Sequence, residues 1–116
     1  MCFDLPSEGD LMVIASGIAN SCIRICVFKQ ISTAYIDCYS TERDYHCMDT
    51  DVVAAAVPGG DEVFWCDRVK PSCMAETLVH EMAHLCGWSH NLSLATGQSD
   101  NGIPHGNGHG PPDCRR

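Results

Sequence analysis

A chain of 116 residues is the usual length of one domain and can bury roughly two thirds of its unfolded surface, which excludes two independent cores. Apolar residues make up 45% and charged residues 19%, enough for a packed core and too little charge for an intrinsically disordered chain. Seven Lys+Arg against fifteen Asp+Glu give a net charge of −8, so no surplus of cations meets a phosphate backbone or an anionic membrane surface, and neither nucleic acid nor membrane is expected as a partner.

At the N-terminus, Met1-Cys2-Phe3-Asp4 carries no cationic start, and no segment reads as a signal peptide. The longest apolar stretch, Leu11 to Ala19, is about half the ~20 residues a spanning helix needs. Export then requires a leader upstream of this sequence, or delivery as a domain of a larger protein. Pro6-Ser7-Glu8-Gly9-Asp10 is a helix start, with Ser7 as cap and two acids where the helix dipole is positive. Apolar residues at Leu11, Ile14, Ala15, Ile18, Cys22, Ile25 and Cys26 recur at the helical period and predict one helix over about 8–30, with Lys29 near its end.

Residues 32–50 are polar and mixed in sign, which predicts a surface loop that a Cys38–Cys47 disulfide would hold. The run Val52 to Val57, the turn Pro58-Gly59-Gly60-Asp61 and the run Glu62 to Cys66 predict two antiparallel strands. Ser72 is a plausible N-cap, and apolar residues at Ala75, Leu78, Val79, Met82, Ala83, Leu85 and Cys86 predict a helix over about 73–86 that Gly87 terminates. From about 91 onward the Gly/His-rich tail resists regular structure.

Nine cysteines approach the density of a disulfide scaffold and favour an oxidising destination, secreted or periplasmic. The odd number leaves a thiol free or bonded elsewhere. Cys38–Cys47 and Cys66–Cys73 are the expected local pairs, and buried reduced cysteines are the alternative. Cys22 and Cys26 have ligand-like spacing but sit on the apolar stripe, which favours core packing or disulfides over a second metal.

His80-Glu81-Met82-Ala83-His84 matches H-E-x-x-H, in which two histidines four apart on a helix point to one side and reach one zinc ion. Glu81 is rotated by about 100° from His80 and can act on water at the metal as the acid-base group without ligating it. The match continues through Leu85-Cys86-Gly87-Trp88-Ser89-His90, completing H-E-x-x-H-x-x-G-x-x-H. Gly87 takes positive φ without cost, and a sharp turn there can return His90 to the metal. By spacing the third ligand is His90, with Asp100, His105 and His109 as chemically competent alternatives.

These residues resemble the zincin metallopeptidases, and by the longer motif their metzincin branch. The resemblance covers about 52–90, and 80–90 is its specific part. The order of strand, turn, Val63-Phe64-Trp65-Cys66 edge strand, cysteine-bracketed loop and motif helix is also similar to the small metallopeptidase domains of bacterial polymorphic toxins and secretion-system effectors, and to the fungal aspzincins. The chain departs from these patterns at three places. No methionine follows Met82 to form a metzincin turn, and no glutamate follows Glu81, which sets the gluzincins aside if the metal site lies within this chain. No tyrosine follows Tyr45, leaving His105 or His109 as alternative oxyanion donors. Asp100 is the aspzincin-type candidate.

The resemblance implies a single α+β zincin-like domain over 1–116: a backing helix, a small sheet, the motif helix and an irregular tail. It implies zinc-dependent peptide hydrolysis, with Glu81 catalytic and one Zn2+ per chain on His80, His84 and His90. It also implies a monomer with a peptide or protein substrate, paired beside Glu62 to Cys66, and an inhibitor or immunity protein as partner. A cell-wall peptide amidase and a non-catalytic zinc-binding interaction module are the rival readings.

Overall fold

In the computed structural model, which describes residues 5–39, 54–66, 73–88 and 103, Ser7 caps α1 (Glu8–Ala15) as its position predicts. Its Oγ accepts from the Asp10 N–H at 3.1 Å. The single helix expected over 8–30 is two helices. Ser16 closes α1, and Asn20 restarts the chain as N-cap of α2 (Ser21–Thr33), its Oδ1 accepting from Ile23 N–H at 3.0 Å. An Asn cap of this kind contributes about 1 kcal/mol and favours a fresh start over continuation. Arg24 clasps the corner, donating to the Ile18 carbonyl at 2.7 Å.

The break resets the helical phase. Leu11, Ala15 and Ile18 are buried as the period predicts, but on α2 the inward positions are Ile23, Val27 and Ile31, while Ile25 is 65% exposed. Cys22 is an exposed free thiol, and Cys26 forms a disulfide with Cys86.

The segment expected to be loop contains a strand, β1 (Tyr35–Tyr39), which pairs in parallel with β3 (Glu62–Cys66) from Tyr35 opposite Glu62 to Tyr39 opposite Cys66. Tyr-Ile-Asp-Cys-Tyr has the residue types strands favour, but the partner lies far along the chain, so no local turn signal marks it. The expected hairpin forms: β2 (Ala54–Ala56) runs antiparallel to β3. Gly60 N–H donates to the Val57 carbonyl at 2.9 Å, and Gly59 sits at φ +80°, the third-position geometry of a type II turn. Residues 52 and 53 of that prediction lie outside the described residues.

The sheet order is β1-β3-β2, so Glu62 to Cys66 is the central strand and not the edge strand expected. Its backbone pairs on both sides, and no substrate strand can add there. Val63 and Trp65 alternate inward toward α3 (Met74–Leu85), which spans nearly the predicted helix. Cys73 is its N-cap residue; the expected cap Ser72 lies outside the described residues.

Helix α3 packs on β2 and β3 on one side and on α1 and α2 on the other. Sandwiched in this way it is buried almost all round, from Thr77 through Leu85 without interruption. The described residues thus form a small α+β fold of three helices and a three-stranded mixed sheet. No helix among them is long and apolar enough to cross a membrane. Of the tail, the only described residue is Ile103, which is buried in the same core.

Cys38, Cys66 and Cys73 are also disulfide-bonded, in line with an oxidised chain. Cys47, the partner expected for Cys38, lies outside the described residues. The Cys26–Cys86 bridge was not among the expected local pairs; it spans a sequence separation of 60 and joins α2 to the end of α3. Closing a loop of that length removes denatured-state entropy worth about 4 kcal/mol. The Cys26→Ala/Cys86→Ala chain is therefore expected to lose up to about 4 kcal/mol of unfolding free energy in denaturant titration. A loss below about 1 kcal/mol would show that strain or residual structure cancels the constraint.

Candidate metal centre

Helical spacing brings His80 and His84 onto one side of α3, and the packing around that helix places both inside the protein. His80 is 1% exposed, Glu81 1% and His84 9%. Nε2 of His84 lies 3.2 Å from Nε2 of His80, and a carboxylate oxygen of Glu81 stands within 4.8 Å of the histidine nitrogens. These three residues form a group able to hold a metal ion.

The tautomer of His84 follows from its partner. Its Nδ1 lies 2.8 Å from the Trp88 carbonyl oxygen, which can only accept, so Nδ1 carries the proton and Nε2 presents its lone pair toward His80. Two ring nitrogens this close share either a proton or a cation. Two nitrogens bound to one tetrahedral zinc at 2.0–2.1 Å stand roughly 3.3–3.4 Å apart, and the observed separation fits that span nearly unchanged.

The end of α3 is built to deliver that carbonyl. Gly87 stands at φ +91°, the conformation predicted for it, and its N–H donates to the His84 carbonyl at 2.9 Å. Trp88 N–H donates to the Ala83 carbonyl at 3.1 Å, which completes a Schellman cap. The cap turns the chain back along the helix and seats the Trp88 indole against both histidines. Its centroid is 4.8 Å from that of His84 at a 32° tilt and 5.2 Å from that of His80 in an edge-on contact. Gly59 of the hairpin turn adds a second donor to the His84 carbonyl, at 3.2 Å.

Of the residues singled out from the sequence, His80, Glu81 and His84 come together. His90, Asp100, His105 and His109 lie outside the described residues. Trp88 was missed, although the sequence holds a signal for it: a residue directly after a cap glycine is the one whose carbonyl can return to a histidine in the last turn. Cys86, in the middle of the motif, lies on the apolar face by its spacing, and the structure joins it to Cys26.

No family model, curated protein or solved structure matches this chain.

Proposed function

We propose that the chain is a zincin-like metallohydrolase acting on peptide bonds, with His80 and His84 as zinc ligands and Glu81 as the acid-base residue. The observation that carries this reading is the buried pair of Nε2 atoms 3.2 Å apart with a carboxylate beside them. A zinc ion at that place supplies Lewis-acid activation of water and of the scissile carbonyl, bringing the pKa of water to about 7. The chain's own residues do the rest. Glu81 takes a proton from water and passes it to the leaving amine. Trp88 keeps His84 in its ligating tautomer, and the enclosing core excludes bulk water, which strengthens each charge interaction within. With β3 flanked on both sides, pairing of an extended peptide falls to the outer edge of β1 or β2.

The cysteine usage supports a secreted or periplasmic protein, delivered as an effector or toxin domain, with a peptide or protein substrate and an inhibitor or immunity protein as partner. Incubation of the zinc-loaded chain with casein and with purified bacterial cell wall tests the activity: casein cleavage supports an endopeptidase, wall digestion alone a cell-wall amidase. Hydrolysis of neither overturns the enzyme.

Burial favours a second reading. Side chains as enclosed as His80 and Glu81 suit a closed, structural zinc site, in which a further protein ligand fills the position that water holds in a catalytic one. X-ray absorption on the zinc-loaded protein separates the two, since a catalytic site retains a water oxygen in its shell.

The third protein ligand is His90 in this reading. Its alanine variant is expected to lose most zinc affinity, while Asp100→Ala, His105→Ala and His109→Ala keep about one zinc per chain. Six residues from His84, with one turn at Gly87, suffice to return His90, whereas a glycine-rich tail loses more conformational entropy on reaching the metal. Full affinity in His90→Ala together with loss in a tail variant would move the chain out of the metzincin pattern.

A further inference from the structure

The groups that hold the His84 ring and tautomer lie at the C-terminal end of α3, and that end is tied covalently to another helix. Cys86 is the C-cap residue, Gly87 and Trp88 follow it, and the Trp88 carbonyl orients the ring. Helix ends are where backbone hydrogen bonds open first. Opening of this one withdraws the carbonyl from His84 Nδ1, and Gly87 then has the widest choice of other conformations. The Cys26–Cys86 bridge opposes that opening. Cys26 adjoins Val27, which is wholly buried in the core, so the bridge fastens the cap to a helix that cannot follow it outward.

From this arrangement we infer that the Cys26–Cys86 disulfide sets the metal affinity of the His80–His84 site, by fixing the Trp88 carbonyl that holds His84 in its ligating tautomer. Trp88 is a positioning residue, and the bridge makes its position depend on redox state. The inference rests on the metal site proposed above. A dithiol such as dithiothreitol drives the switch with balanced chemistry. It gives two electrons and two protons, the Cys26–Cys86 bond breaks to two thiols, and the dithiol closes to its own disulfide. Both cysteines are partly exposed, within reach of such a reagent. In the reduced chain the cap opens, His84 gains access to the tautomer with the proton on Nε2, and that nitrogen no longer offers a lone pair. Outer-shell partners of metal-binding histidines are typically worth about 10–100-fold in affinity, and a loss of that size is expected here.

The test uses the full chain with Cys22→Ser throughout, which removes the exposed free thiol from exchange. Zinc affinity is measured by competition with a chromophoric chelator, without reductant, for the bridged chain and for the chain carrying Cys26→Ser and Cys86→Ser. Circular dichroism reports folding, and ring-nitrogen NMR of the metal-free protein reports the His84 tautomer. The bridged chain is expected to show a single tautomer protonated at Nδ1. The unbridged folded chain is expected to show a mixture and about 10–100-fold weaker zinc binding. Equal affinity, or the same single tautomer in both folded chains, overturns the inference. If that chain does not fold, the unbridged pair Cys26→Val and Cys86→Ala, whose apolar side chains suit two partly buried positions, decides by the same two readouts. Loss of affinity with mixed tautomers then supports the inference, and neither change overturns it. A bridged parent that binds no zinc defeats the metal site itself, while the tautomer comparison, which needs no metal, still decides whether the bridge fixes His84.

Discussion

Zinc-loaded wild-type protein is expected to hold about one ion per chain, and His80→Ala or His84→Ala to hold none. The two Nε2 atoms come from one helix and stand 3.2 Å apart, so the loss of either breaks the buried pair and leaves the proposed site one ligand short. Alanine also empties buried volume in a packed helix, which by itself destabilises the chain. The unfolding midpoint of each variant is therefore measured beside its metal content, and His80→Gln, closer in volume, separates the two effects. A folded His80→Gln protein that still retained one zinc per chain would place the metal elsewhere.

Glu81→Gln is expected to lower the rate of peptide hydrolysis by about 10²–10⁴ while zinc stays bound. The amide keeps the shape of the carboxylate and removes the proton acceptor, and no ligand is lost if Glu81 serves the water and not the metal. Single-turnover rates with metal content determined on the same samples read both quantities. Wild-type rates would remove Glu81 from the chemistry. Loss of zinc in the variant would make Glu81 a ligand and favour the structural reading of the site.

Legibility in the sequence followed the range of the interactions. The α1 cap at Ser7, the hairpin through Gly59 and the helix ending at Gly87 all rest on residues within a few positions of one another, and each forms where the local pattern places it. The split between α1 and α2 was also local, carried by Ser16, Gly17 and Asn20. The apolar spacing of 11, 14, 15 and 18 masks it by continuing smoothly into 22, 25 and 26. That continuity had a cost: it placed Cys22 and Ile25 inward, where the restarted helix turns them to solvent.

Beyond the local scale the sequence was silent. Parallel pairing of β1 with β3 joins segments without a turn between them, and it decided that β3 is central and closed to a substrate strand. The contact of Cys26 with Cys86, across a separation of 60, likewise has no signature in spacing.

For the candidate site the same division holds. The sequence by itself determined that His80 and His84 share one side of a helix with Glu81 beside them, because helical periodicity needs only the neighbouring turns. It also determined that the helix ends at Gly87, because that residue alone in the segment takes positive φ without strain. The tertiary structure decided that these side chains are buried, since α3 lies between the sheet and two helices whose packing no periodicity reveals. It decided, too, which nitrogen of His84 faces His80, because the Trp88 carbonyl reaches Nδ1 only after the cap has folded the chain back over the helix.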